Sequence, residues 1–223
     1  MAGKAAILVI CGLASEARIM RDSPANFLIS GADTARLATL LRDVDASDFR
    51  LVVSFGIAGA LDPALRAGDL IVASAVVTDR QTIETDPSLT QAIRSALPEA
   101  KYGSILGLDQ ALATPVDKAG AHARTNALAV DMESHLAAQF CQRYRLPLLV
   151  LRAISDRADQ TLPPLASVAI APDGRLAPLA IIRSLLSRPG QLLLLPALAR
   201  GSRSAHGALA KACTRIVPIL ING

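Results

Sequence analysis

The 223-residue chain has no tryptophan, only two tyrosines and four phenylalanines, so aromatics make up 3% of it. An interior built on large rings is excluded. Lys and Arg number 23 against 19 Asp and Glu, a net charge of +4, and no basic run or basic-aromatic stripe occurs. Nucleic acid is therefore not an expected partner. The three cysteines, Cys11, Cys141 and Cys213, are odd in number and far apart. Without a CxxC or Cys/His cluster, neither a disulfide framework nor a metal site is expected. Free buried thiols in a reducing cytoplasm are the expectation. No uninterrupted apolar run reaches the ~18 residues of a membrane span. The apolar run near the start ends at Cys11-Gly12, strand-length and too short for a signal peptide.

What is present is aliphatic. Hydrophobic residues make up 52% of the chain, so the core must be Ala, Leu, Ile and Val. Apolar runs of strand length recur at Ala5–Cys11, Phe27–Ser30, Leu51–Phe55, Leu70–Val77, Ala127–Val130 and Leu148–Ile154. Most are continuous, as in strands buried on both faces. Helical spacing marks Thr34–Val44 and Met132–Tyr144; in the second, Met132, Leu136, Ala137, Phe140 and Cys141 share a stripe. The segment from Thr78 to Lys101 reads as a polar excursion plus a helix. A stretch containing Pro163, Pro164, Pro172 and Pro178 reads as loop, followed by a helix over about Leu179–Ser187. Strands alternating with helices predict one α/β domain over 1–223, with helices on both faces of its sheet.

The tail from about 188 to 218 is apolar and basic, with Leu192–Leu195 and Leu198 beside Arg188, Arg200, Arg203, Lys211 and Arg215. Two readings stand: a helix on a membrane surface, or a helix packed on the core or on a second subunit. Pro196 is expected to interrupt the pattern.

In open α/β sheets ligands sit at the carboxyl ends of strands. Those ends offer Gly12, Ser15 and Glu16, then Gly56 and Gly59, then Asp131 to Ser134, then Ser155 and Asp156. If the strands are neighbours, an acidic pocket results. Each residue also has a structural reading. The glycines can simply make a turn, and no GKS or GKT follows to make a phosphate loop. Asp131 can cap the following helix, and Glu133 suits its first turn.

The segments AVDMESHLAAQFCQRYRLPLLVLRAISDRAD and SFGIAGALDPALRAGDLIVAS resemble the nucleoside phosphorylase/nucleosidase family, which includes the methylthioadenosine/S-adenosylhomocysteine nucleosidases. GLASEARIMRD and the RPGQ tail look most like its hopanoid-associated phosphorylases. The resemblance implies a mixed, partly closed sheet flanked by helices and cleavage of the bond between ribose and a purine, through a transition state like an oxocarbenium ion. It implies no cofactor. By position, Asp156 would protonate N7 of the leaving purine, for which burial or neighbouring acids would have to keep it protonated. Glu133 would hold the ribose hydroxyls and favour the cation. Met132 would pack under the sugar. Ala58 and Gly59 would lie against the base, with Ser155 in support. Glu16 would orient water.

Phosphate is the competing nucleophile. The glycine segment holds Ser54 and Ile57 but no Arg, and a dianion needs paired donors. Hydrolysis is the preferred expectation, with Arg18, Arg21 or Arg152 as the residues that would otherwise bind phosphate. The segment between Asp79 and Gly103 is short for the family, which would open the 5′ side to a bulky group such as the lipid of adenosylhopane. A homodimer is expected, with peripheral membrane contact through the tail as an option. A non-catalytic nucleoside-binding protein is the alternative of another class, opposed by the cost of keeping three buried acids.

Overall fold

A computed structural model describes residues 6–163, 170–175, 177, 187 and 189–222. The helix expected from Leu179 falls outside them, Ser187 apart. The eight strands are β1 (Ala6–Cys11), β2 (Ala25–Ile29), β3 (Phe49–Ala60), β4 (Leu70–Val77), β5 (Thr82–Glu84), β6 (Lys101–Gly107), β7 (Ala129–Asp131) and β8 (Leu148–Asp156). Their order is β2-β1-β3-β7-β6-β4-β5, and β8 pairs with both β3 and β4. Strands β3, β8, β4, β6 and β7 thus close into a ring, with β1 and β2 as a wing. The pairs β3–β7, β4–β8 and β4–β5 are antiparallel and the others parallel. This is the mixed, partly closed sheet expected.

The alternation of side chains along a strand divides the core in two. On β1, Ile7, Val9 and Cys11 face one cluster with Val53, Phe55 and Leu151. Leu8 and Ile10 face the other, with Val52, Val150, Leu37 and Phe140. Every residue of β8 is buried, which explains its unbroken apolar run.

Helices cover both faces: α1 (Ala14–Ile19), α2 (Thr34–Arg42), α3 (Pro87–Ala96), α4 (Pro115–Thr125), α5 (Ser134–Tyr144) and α6 (Leu195–Asn222). The starts of α2, α3 and α4 follow from capping. Asp33, Asp86 and Thr114 accept from the backbone N–H three residues on, and Pro87 and Pro115 occupy first-turn positions that need no donor.

Several expectations are corrected. Gly56 and Gly59 do not form a turn; they lie inside β3, which runs on to Ala60 because β8 and β7 pair with it there. The stretch after Thr78 hides β5 as well as the expected helix, and β6 follows it. Helix α4 was not foreseen, because its buried face holds only Lys118 and Ala121 and no apolar stripe betrays it. Met132 is not on the α5 stripe, since the helix starts at Ser134. Pro196 does not interrupt the tail helix; it sits in the first turn of α6.

The tail packs on the core. Ala205, Leu209, Ala212, Cys213, Ile216 and Leu220 are buried together against β1, β3 and β8, at the spacing of one helix face. Arg50 donates to the carbonyls of Leu220 and Ile221 at its end. Among the described residues no helix is long and apolar enough to cross a membrane.

Candidate active site

The carboxyl ends of β1 and β8, the end of β3 and the turn after β7 open onto one cavity of about 690 Å3. All seven residues singled out in the sequence line it: Glu16, Ala58, Gly59, Met132, Glu133, Ser155 and Asp156. They arrive from four elements. Glu16 projects from α1.

Beneath the floor lies a charge network. Arg152, in the middle of β8, is fully buried. Its Nε lies 2.6 Å from Asp131 Oδ2, and its Nη2 3.5 Å from Glu133 Oε2. Nη2 also donates to Ser54 Oγ (2.7 Å) and Ser134 Oγ (3.1 Å). Glu16 accepts from the backbone N–H of Leu13 through Oε2 and of Ile57 through Oε1, both at 2.8 Å. Gly56 makes room for this pair: a β-carbon there would stand 2.6 Å from both Arg152 Nη1 and Glu16 Oε1. Asp131 is not the N-cap expected of it: Glu133 holds that position ahead of Ser134, and Asp131, two residues earlier, accepts from Glu133 N at 3.2 Å and Ser134 N at 2.9 Å.

Burial raises the pKa of Glu133 to about 7, helped by Asp131 and Glu16 and opposed by Arg152 and a hydrogen bond from Ser30. Burial also raises that of Glu16, against the pull of Arg152 and backbone N–H groups. For Arg152, burial alone would favour the neutral form, but the three acids reverse it and hold its pKa above the ordinary value. Arg152 is thus committed to carboxylates and is no free phosphate ligand. Arg21 is exposed beside Asp22; of the three arginines considered for phosphate, only Arg18 lines the cavity.

Asp156 ends β8 with both oxygens engaged. Ser155 Oγ donates to Oδ1 at 2.7 Å and also lies 3.2 Å from the carbonyl of Ala58. Lys118 Nζ stands 2.5 Å from Oδ2. Asp156 is 4% exposed and Lys118 0%. Gly59 permits the close approach of the strands, since a β-carbon there would lie 3.0 Å from Oδ2.

Helix α6 forms a wall through Leu198, Ser202 and His206. His206 Nδ1 donates to Ser202 O (2.8 Å), and its Nε2 is hydrogen-bonded to Ser15 Oγ (2.9 Å). Gly201 touches the end of β8: any β-carbon there would run into the Ser155 carbonyl. None of residues 79–103 lines the cavity. That segment instead turns β5 back along the sheet edge and packs α3 against β4 and α6, so its length does not set the width of the cavity mouth. Among the described residues no group of three or more His, Cys, Asp or Glu could hold a metal ion.

Sequence reasoning missed Lys118 and the wall from α6. Lys118 gave no signal, being one lysine in a polar helix. For α6 a signal existed in the apolar spacing of 205, 209, 212, 216 and 220, but it pointed to packing and not to a cavity.

A 5′-methylthioadenosine/S-adenosylhomocysteine nucleosidase of Mycobacterium bovis is 29% identical over 169 residues, 56% of this chain and 66% of the relative. The chain thus spans just under two thirds of that relative's length. The structure of the Helicobacter pylori nucleosidase of the same name aligns with a TM-score of 0.71 at 18% identity, covering 97% of this chain and 99% of the other. A futalosine hydrolase of Helicobacter pylori aligns at 0.70 and 18%, covering 96% and 97%. These last two likenesses establish the shared fold. The family model described as the Phosphorylase superfamily matches residues 29–187, most of the chain, and the chain belongs to that superfamily.

Proposed function

We propose that the chain hydrolyses the N-glycosidic bond of a purine nucleoside. The observation that carries this reading is a single cavity lined by three buried carboxylates, Glu16, Glu133 and Asp156, from separate elements. Breaking the bond asks for two things: neutralising the departing base and holding a cationic ribose. Asp156, beside the bare backbone of Ala58 and Gly59, gives its proton to N7 while the electron pair of the C1′–N9 bond goes to the base. Ser155 Oγ is within reach of both Asp156 Oδ1 and Ala58 O, so its hydrogen can turn from one to the other as the carboxyl changes state. Glu133 accepts from the ribose hydroxyls, and its negative charge favours the cation. Met132 packs against the sugar. Water adds to C1′ and passes its proton to Glu16.

Water is favoured over phosphate because the cavity already carries the three acids. Phosphorolysis remains the second reading, supported by Arg18 and Arg175 on the lining.

The finer reading concerns the 5′ side. Leu13, Ala14, Leu112, Leu162 and Leu198 give the cavity apolar walls, and Leu192 and Leu193 are exposed just before α6. Both support a 5′-substituted adenosine with a large apolar group, such as adenosylhopane in hopanoid biosynthesis, met at a membrane surface. The test is adenine release from methylthioadenosine and from a 5′-alkyl adenosine, with and without phosphate. Release without phosphate, faster for the alkyl substrate, is expected. Strict dependence on phosphate would replace hydrolysis by phosphorolysis. No release from either would leave only nucleoside binding.

A further inference from the structure

Lys118 is a completely buried lysine that does not line the cavity. It reaches β8 from α4 and meets three acceptors: Asp156 Oδ2 at 2.5 Å, the carbonyl of Arg157 at 2.8 Å and that of Gln160 at 3.0 Å. Three acceptors match the three N–H donors of an ammonium group. A buried cation is costly without partners, and this one is held by all three acceptors together. Thr114 caps α4 through its hydroxyl, and Asn126, in the left-handed region at φ 53°, ends it. The lysine therefore comes from a helix fixed at both ends.

We propose that Lys118 is a positioning residue for the leaving-group acid: it fixes Oδ2 of Asp156 and faces the negative charge that remains there once the proton has gone to the base. This rests on the hydrolytic reading above. In the step, the Asp156 proton moves to N7, the C1′–N9 electron pair goes to the purine, and water supplies oxygen to C1′. The carboxylate left behind is balanced by an ammonium already at hydrogen-bonding distance. It regains a proton from solvent after the base departs. Lys118 does not line the cavity, so its whole effect passes through Asp156.

The experiment compares wild type with Lys118→Met, Lys118→Arg, Asp156→Asn and the Lys118→Met/Asp156→Asn double variant. Two substrates are used: methylthioadenosine, and 4-nitrophenyl riboside, whose leaving group departs without a proton. Thermal unfolding checks that each variant folds. Lys118→Met is expected to lower kcat for methylthioadenosine by about 100-fold, the low end for a general acid, with little change in KM. The nitrophenyl riboside should lose far less. In the Asp156→Asn background the lysine substitution should add almost nothing, because residues acting as one unit are not additive. Lys118→Arg keeps the charge but cannot place one nitrogen among three acceptors; it is expected to show the same substrate-selective loss, and it serves if the Met variant does not fold. Equal losses on both substrates, or a full additional loss on top of Asp156→Asn, would overturn the proposal. Wild-type activity in Asp156→Asn would instead overturn the assignment of the acid, leaving the lysine without a role.

Discussion

Glu133 sits where three carboxylates, its own and those of Asp131 and Glu16, share one buried guanidinium. Burial penalises its charged form most, and Asp131 and Glu16 add to this against the pull of Arg152, so its pKa rises from 4.5 to about 7. The folded state then binds a proton that the unfolded chain releases, so stability is highest below about pH 4.5 for this group. It falls as pH rises towards 7 and is level above that, a loss of roughly 3 kcal/mol. Glu16 acts in the same direction. Glu133→Gln should flatten the profile, as read from urea midpoints between about pH 5 and about pH 8. The same ionisation should raise kcat/KM through about pH 7 in the wild type, and the variant should lose that limb. Asp156→Asn, which cannot deliver a proton, is expected to lower adenine release by about 100- to 10,000-fold with the fold retained, checked by circular dichroism.

At the scale of elements, two glycines give opposite expectations. Gly56 in β3 faces Arg152 and Glu16, so Gly56→Ala should force both side chains to shift. A cost of about 1–3 kcal/mol is expected, together with lower activity, measured by thermal unfolding and an assay. Gly207 in α6 is exposed, with nothing within 4 Å of a β-carbon. Gly207→Ala should stabilise the protein by about 0.5–1 kcal/mol without changing kcat. What the sequence made legible follows the same division. Strands β1, β4 and β8 were readable because their neighbours bury both faces and leave an unbroken apolar run. The acids at their ends were readable because strand ends collect ligands. The role of Gly56 was not, because the side chains that demand a glycine come from positions 16 and 152. Lys118 pairs with a residue 38 positions away, and nothing in a polar helix marks which lysine is to be buried.

For the whole molecule, the ring β3–β8–β4–β6–β7 and helix α6 depend on each other. Leu209, Ile216 and Leu220 are each 0–1% exposed and fill one side of the core against β1, β3 and β8. Each costs about 2–5 kcal/mol when truncated to alanine, which approaches the whole stability of a domain. A chain ending at Gly207 should therefore lose cooperative unfolding and expose apolar surface, as seen by calorimetry and dye binding. The two-sided packing could be read from the strand pattern. The order of strands could not, because β8 inserts between β3 and β4, consecutive strands that lie far from it along the chain.

The contact of Gly201 with the Ser155 carbonyl, and the Ser15–His206 hydrogen bond nearby, have a bearing on biosynthesis. During translation β1, α1 and β8 leave the ribosome well before residues 195–222. Until those residues emerge, the nascent chain holds its acids on a sheet whose eight strands are all made but whose cavity lacks one wall. Enclosure of the cavity thus waits for the docking of α6 on a sheet already formed.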